Sequence, residues 1–251
     1  MNSVQTWIRR LNAPITISIA IALAVGSLFF FFSAGNGMSL IWADGNWTRQ
    51  PWSLLTYPFA YIGVGGIGTL LWSAFMLAWM IYACGSVERE LGPPKYIGLW
   101  VLFTVLPALL MLIGANLMRG STVLAGPYLP ISAFTVAWAT RNPRAQFSLW
   151  GIIPLTGRIL GWVVVAGTFF SYGFGTPVIG LIACLHLGLA HLMAAGRVPF
   201  FSWKSLDDER RAKRQAIEVA AFREEVLARK LEREEKEKLR RLFERSGIDD
   251  K

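Results

Sequence analysis

Charge is scarce over most of this chain. Of its 251 residues, positions 204–251 hold 15 of the 25 Lys and Arg and 13 of the 16 Asp and Glu, which leaves 10 basic and 3 acidic groups for the first 203. A water-soluble surface carries about a quarter to a third charged residues. So few charges exclude a soluble globular enzyme and indicate a membrane-embedded body with a short, highly charged soluble tail.

Several kinds of chemical site are also missing. The two cysteines, Cys84 and Cys184, fall in apolar runs without the paired spacing of a disulfide or a metal site, so we interpret both as small hydrophobic residues. No Gly-x-x-x-x-Gly-Lys nucleotide loop occurs. His186 and His191 lie about 140° apart on a helix and cannot face one metal ion. We therefore expect neither a cofactor nor a bound metal.

Long apolar runs fill the first 203 residues. A bilayer core about 30 Å thick needs roughly 20 apolar residues in a helix, and the chain has runs of about that length at residues 14–33, 65–84, 97–117, 122–140, 152–171 and 177–196. The first run exceeds the apolar core of a cleavable signal peptide, so we interpret it as a retained anchor. The predicted fold class is an all-α membrane protein. It comprises an N-terminal segment 1–13, a six-span domain 14–198 and a charged helical tail 199–251.

Basic residues cluster at alternate ends of these runs, as with Arg9 before the first, Arg144 after the fourth and Arg197 after the sixth. The positive-inside rule then predicts that both termini are cytoplasmic. Most of the net charge of +9 comes from the span ends, so membrane lipid is indicated as a partner and nucleic acid is not. A bacterial inner membrane is the expected location, with an organelle membrane as the alternative.

The connection between the first two runs, residues 34–63, contains three tryptophans and two tyrosines among few charges. Trp and Tyr prefer the headgroup boundary of a bilayer. We therefore predict that this long first outer loop lies in the membrane interface or dips into it, with an ordinary aromatic-belt loop as the interpretation that gives it no special role.

The tail has a helical charge pattern. Acidic residues repeatedly precede basic ones by four positions, as in Glu232 and Lys236, and each such pair stabilises a helix by roughly 0.2–0.5 kcal/mol. Its apolar residues do not keep a heptad through 232–238, which argues against a long coiled coil. We predict a solvated cytoplasmic helix, with docking to a soluble partner or to an anionic leaflet as the alternatives.

Several short motifs follow one another in a particular order. They are Trp-Thr-Arg at 47–49, PWSLLTYPF at 51–59, GSVERELG at 85–92, Asn-Pro-Arg at 142–144 and HLGLA at 186–190. Together they resemble the rhomboid family of intramembrane serine proteases over most of residues 45–195. The most specific piece is Gly85, Glu88 and Gly92 at the end of the second run. The resemblance implies a six-span rhomboid-like helical bundle, and Glu88 also has an ordinary interpretation as a helix cap or ion-pair partner.

The resemblance also implies a catalytic site, in which a serine at the start of the fourth span is activated by a histidine in the sixth. His186 matches the histidine. The serine position falls on Tyr128, and the two oxyanion-binding positions fall on Ser73 and Leu77. A phenol is a poor peptide nucleophile, and its ring fills space that a substrate needs. We therefore predict a plugged site in which the Tyr128 hydroxyl bonds His186.

Ser132, one helical turn beyond Tyr128, is the alternative nucleophile. It would need the ring of His186 or His191 within about 2.6–3.2 Å. The competing interpretation is that its hydroxyl bonds a carbonyl of its own helix near Pro130.

Three functions follow from these patterns. The first is a rhomboid-like pseudoprotease that binds transmembrane helices of partner or client proteins without hydrolysis, and whose tail recruits a soluble partner. The second is a structural subunit of a larger membrane complex. The third is an active intramembrane serine endopeptidase that uses Ser132 and His186. The first predicts that the chain is not an enzyme.

Overall fold

The computed structural model describes residues 13–32, 38–60, 67–149, 153–199, 201 and 203, and, in the tail, residues 224, 227, 229–231, 233 and 236–242. The expected N-terminal segment, apart from Ala13, and most of the tail lie outside these residues. The chain divides into two compact units, residues 1–203 and 204–251.

The first unit is mostly helical. The α-helices among its described residues are α1 Pro14–Phe32, α2 Ser53–Thr56, α3 Ile67–Leu91, α4 Pro93–Met118, α5 Tyr128–Arg141, α6 Gly157–Gly173 and α7 Pro177–Ala194, with turns of 3-10 helix at Met38–Leu40 and Tyr57–Phe59. Two antiparallel ribbons join them: β1 Trp42–Ala43 pairs with β2 Val123–Leu124, and β3 Gln146–Leu149 pairs with β4 Ile153–Thr156. The all-α prediction therefore holds for the bulk of the unit and misses these connections.

Three of the helices are long and apolar enough to cross a membrane, namely α3 from Leu71 to Leu91, α4 and α7. The described apolar part of α1, Pro14–Phe29, is shorter. Helices α5 and α6 have 14 and 17 residues. The predicted run boundaries 122–140 and 152–171 are wrong, because strands β2 and β4 occupy their first residues.

The backbone at Gly126 explains why α5 begins late. Gly126 has φ of +82°, a backbone conformation that residues with a Cβ rarely adopt. Its N–H donates to the Tyr57 carbonyl at 2.9 Å. Pro127 follows and precedes the first residue of the helix. Hydropathy counts these residues as apolar, whereas their geometry turns the chain from β2 into a helix only about 21 Å long.

Helix α5 lies at the centre of the bundle. Residues 129–139 are all buried, and the helix packs against α3, α4, α6 and α7. On its α4 side, the Phe134 ring meets Tyr96, Trp100 and Phe103 with centroid distances of 4.9, 5.8 and 5.2 Å. These ring contacts, in tilted, stacked and edge geometries, stabilise the α4–α5 interface beyond simple area burial.

The GSVERELG motif at the end of α3 connects this helix to α1 and α4. A Cβ at Gly85 would lie 3.5 Å from Ala13 Cβ, an ordinary van der Waals distance, so the start of α1 packs against this position. The buried Glu88 carboxylate accepts from the amides of Ile15 and Thr16, the second and third residues of α1. Gly92, with φ of +83°, then turns the chain directly into α4. The predicted capping role of Glu88 is thus confirmed.

The connection at residues 38–60 packs into the protein. Trp42 and Tyr57 are completely buried, and the Tyr57 hydroxyl donates to the Thr104 carbonyl in α4 at 3.0 Å. Burial raises the pKa of the Tyr57 phenol well above its usual value, so it remains a neutral donor. Trp52, by contrast, is 50% exposed. Pairing of β1 with β2 holds this segment against the protein, and its position at the membrane interface stays a prediction.

In the second unit, every described tail residue is helical and exposed. Four leucines are among them, and each is more than half exposed: Leu227, Leu231, Leu239 and Leu242. The helix predicted from the charge pattern is confirmed at these positions, while the other residues of the predicted tail lie outside the described ones.

Candidate functional site

His186 occupies the buried face of α7, and its two ring nitrogens face backbone oxygens. Its Nδ1 lies 2.6 Å from the Ala183 carbonyl of the same helix, and its Nε2 lies 3.2 Å from the Leu129 carbonyl of α5. A neutral imidazole carries one N–H, and the shorter contact favours its donation to Ala183. Within the described parts of the chain, no hydroxyl bonds either ring nitrogen.

Ser132 bonds the same carbonyl that faces His186. Its Oγ donates to the Leu129 carbonyl at 2.7 Å, and the residue is only 3% exposed. The interpretation that this hydroxyl bonds its own helix is therefore confirmed. The structure brings Ser132 and His186 to one carbonyl oxygen without a hydrogen bond between the two side chains.

Tyr128 is directed to α6. Its hydroxyl lies 3.3 Å from Thr168 Oγ1. Because Thr168 donates its own proton to the Val164 carbonyl at 2.9 Å, the phenol is the donor. A Cβ at Gly167 would lie 3.2 Å from the Tyr128 oxygen, so this glycine provides room for it. The predicted Tyr128–His186 contact is wrong, since each partner is engaged elsewhere.

Tyr128, Ser73 and Leu77 meet around a small cleft at the N-terminal end of α5. The cleft has a volume of about 50 Å³, and Leu23 of α1 and Trp72 of α3 form part of its wall. This volume holds a few water molecules and no peptide segment. The positions that the family resemblance assigns to nucleophile and oxyanion binding thus converge, but neither Ser132 nor His186 lines this space.

A larger cleft, of about 540 Å³, lies between α5, α6 and α7 at the C-terminal end of α5. His191 lines it, with Nδ1 2.9 Å from Thr140 Oγ1. Thr140 donates its proton to the Val136 carbonyl at 2.7 Å, so the histidine Nδ1–H donates to Thr140. His191 is therefore paired with Thr140 and does not bond Ser132.

Sequence reasoning missed four participants in these arrangements: the Leu129 carbonyl, Thr168, Thr140 and Arg158 at the large cleft. A backbone carbonyl leaves no signal in a sequence. The two threonines and the arginine are polar residues within or beside apolar runs, which is the only available hint.

The chemistry open to this region is hydrogen bonding and packing. Residues that the structure describes contain no group of three His, Cys, Asp or Glu able to hold a metal ion. Comparisons of the chain with protein-family models and with curated proteins gave no match.

Proposed function

We propose that this chain is a rhomboid-like pseudoprotease, an integral membrane protein that binds or scaffolds membrane-protein partners without hydrolysing them. The proposal includes a six-span bundle in a bacterial inner membrane with both termini cytoplasmic. The observation that carries it is the Leu129 carbonyl, which accepts the Ser132 proton and faces His186 Nε2.

Hydrolysis requires a hydroxyl whose proton is passed to a base within about 2.6–3.2 Å. Here the single Ser132 proton is used within its own helix, and each ring nitrogen of His186 faces a backbone oxygen. Both residues are buried, and neither lines the small or the large cleft. Neither cleft therefore gives a scissile peptide or an attacking water access to these two residues.

The helix order supports the six-span interpretation. Each of the six predicted apolar runs overlaps one helix, in order α1, α3, α4, α5, α6 and α7. Helix α5 is the shortest of these, and α3, α4, α6 and α7 pack around it. A short helix in the middle of a bundle needs no direct exposure to lipid, because its neighbours cover it.

The tail supports a partner-binding role. Leu227, Leu231 and Leu242 lie within about 60° on a helical projection, and all are 60–63% exposed. Exposed leucines that share one helical face are typical of helices that dock onto a partner.

A cleavage assay tests the absence of hydrolysis. The full chain is reconstituted with a model transmembrane substrate, together with Ser132→Ala and His186→Ala variants. We expect all three proteins to give the same background. Cleavage by the wild type that disappears in Ser132→Ala would establish the active-protease alternative.

Crosslinking in intact membranes tests partner binding. We expect truncation after Phe201 and the Leu231→Gln variant to lose crosslinked partners, while Lys230→Gln, its neighbour on the same helix, retains them. Partner yields unaffected by any of these changes would contradict a recruiting tail. A chain that purifies only in a fixed stoichiometric assembly would favour the structural-subunit alternative.

A further inference from the structure

The large cleft between α5, α6 and α7 has the size of a ligand site. Its volume of about 540 Å³ lies within the range of about 300–1,000 Å³ found for small-molecule pockets. Val136, Val165 and Leu187 contribute to its apolar wall. Gly188 leaves it open, because a Cβ built on this residue meets no atom within 4 Å.

A positively charged side chain, that of Arg158, lies at this cleft. Arg158 lines it and is exposed. The residues described by the structure include no acidic group in the cleft lining and no ion-pair partner for the Arg158 side chain. A guanidinium beside an apolar space is complementary to an anion that carries an apolar chain.

The backbone fixes the position of Arg158. Its N–H donates to the Pro143 carbonyl at 3.3 Å, and the Gly157 N–H donates to the Ala145 carbonyl at 2.9 Å. A Cβ at Gly157 would collide with the Asn142 carbonyl oxygen, so glycine is required for this close approach. The first turn of α6 is therefore held against the segment that follows α5.

We propose that this cleft binds an anionic phospholipid, with the phosphate at Arg158 and an acyl chain along the apolar wall. Trp162, one turn from Arg158, lines the same cleft and is 71% exposed. Tryptophan and arginine together are typical of the headgroup level of a bilayer.

The surroundings favour lipid over a water-soluble anion. Helix α7, which forms one wall, is apolar and long enough to cross a membrane. On the same two helices, α6 and α7, Val163, Leu185 and Leu192 form exposed apolar surface, at 53%, 57% and 41% exposed. An acyl chain can pass from such a surface into the cleft without entering water. A free phosphate or nucleotide gains nothing from this apolar surface, because neither carries an acyl chain.

His191 adds a polar contact for the headgroup. Its Nδ1 is paired with Thr140, and the structure describes no partner for its Nε2. A hydroxyl of the lipid headgroup, as in phosphatidylglycerol, can donate to this nitrogen.

Lipid exchange on the full chain tests the proposal. The protein is purified, loaded with phosphatidylglycerol, and challenged with an excess of phosphatidylcholine, and the retained lipid is counted by native mass spectrometry. We expect Arg158→Gln to retain phosphatidylglycerol about tenfold less well than the wild type, because a charge-assisted bond is lost. Arg144→Gln removes an exposed charge that does not line the cleft and serves as the matched control.

A second variant tests the cavity and not the charge. Gly188→Leu fills the cleft, whereas Gly98→Leu places the same side chain on α4 at an equally open position away from it. We expect only Gly188→Leu to lose the lipid, with thermal unfolding temperatures near wild type for both. Equal loss of the lipid in both members of either pair of variants would overturn the proposal. Retention of phosphatidylcholine equal to that of phosphatidylglycerol would also overturn it, as would displacement by inorganic phosphate that is as effective as displacement by lipid.

Discussion

The Glu88 carboxylate, at the end of α3, accepts the backbone N–H of Thr16 in the first turn of α1 at 2.7 Å. Its second oxygen accepts the N–H of Ile15 at 3.0 Å. The first amides of a helix have no partner within the helix, and a negative charge at that end is stabilised by the helix dipole. One buried acidic side chain thus joins the end of α3 to the start of α1, through residues more than 70 positions apart in sequence.

Glu88→Ala should destabilise the membrane unit by about 2 kcal/mol, because buried charge-assisted bonds to two amides are lost. Reversible unfolding in mixed detergent micelles measures this change. Glu90 is the matched control, since it bonds Arg141 at 2.6 Å in a partly exposed ion pair. Glu90→Ala should lower the free energy of unfolding by less than about 1 kcal/mol. Equal losses for the two variants would show that the Glu88 cap stabilises the protein no more than an exposed ion pair does.

Gly180→Ala should destabilise the protein by about 2 kcal/mol or more through overpacking. Its Cβ would lie 2.7 Å from Gly173 Cα and 2.7 Å from the Phe169 carbonyl oxygen, where α6 and α7 approach closely. Gly188→Ala, on the same helix, meets nothing and should be neutral or stabilising by about 0.5–1 kcal/mol. Unfolding curves that rank the two variants in the opposite order would refute the close helix approach.

Gly167→Ala should be less destabilising when Tyr128 is replaced by Phe. The new Cβ would lie 3.2 Å from the phenol oxygen, and removal of that oxygen relieves the crowding. A double-mutant cycle measured by unfolding should give a coupling of about 0.5–1 kcal/mol. Additive effects would mean that the Tyr128 hydroxyl does not lie against α6.

The proposed orientation places the charged tail in the cytoplasm. An epitope appended after Lys251 should therefore be digested by protease in inside-out vesicles and protected in right-side-out ones. An epitope inserted at the exposed Gly45 should give the opposite pattern. Protection of both epitopes in the same vesicles would contradict the alternating arrangement of basic residues on which the orientation rests.

The positions of the main helices were predictable, because long apolar runs have one stable form in a bilayer. Their boundaries were less so. Residues 122–127 are as apolar as a helix requires, yet the positive φ of Gly126 and the pairing of β2 with β1 exclude them from α5. Hydropathy counts composition and is blind to backbone dihedral angles, so it assigned a span where the chain makes a turn.

In the candidate site, too, some features could be predicted from the sequence and others could not. Ser132, His186 and Tyr128 could be selected from residue type and spacing, and Ser132 does bond its own helix as one interpretation required. Their partners could not be selected. The orientation of Tyr128 toward Thr168 depends on the space left by Gly167, 39 positions away in sequence.

The amino-acid sequence alone decided that this chain has an apolar helical body and a charged helical tail, because the free energy of placing charge and backbone in water or lipid depends on composition and local order. Only the tertiary structure decided that Ser132 and His186 meet at the Leu129 carbonyl, that Glu88 caps α1, and that Arg158 stands beside an open cleft. Hydrogen bonds act over about 3 Å, so their formation depends on how distant segments of the chain pack together.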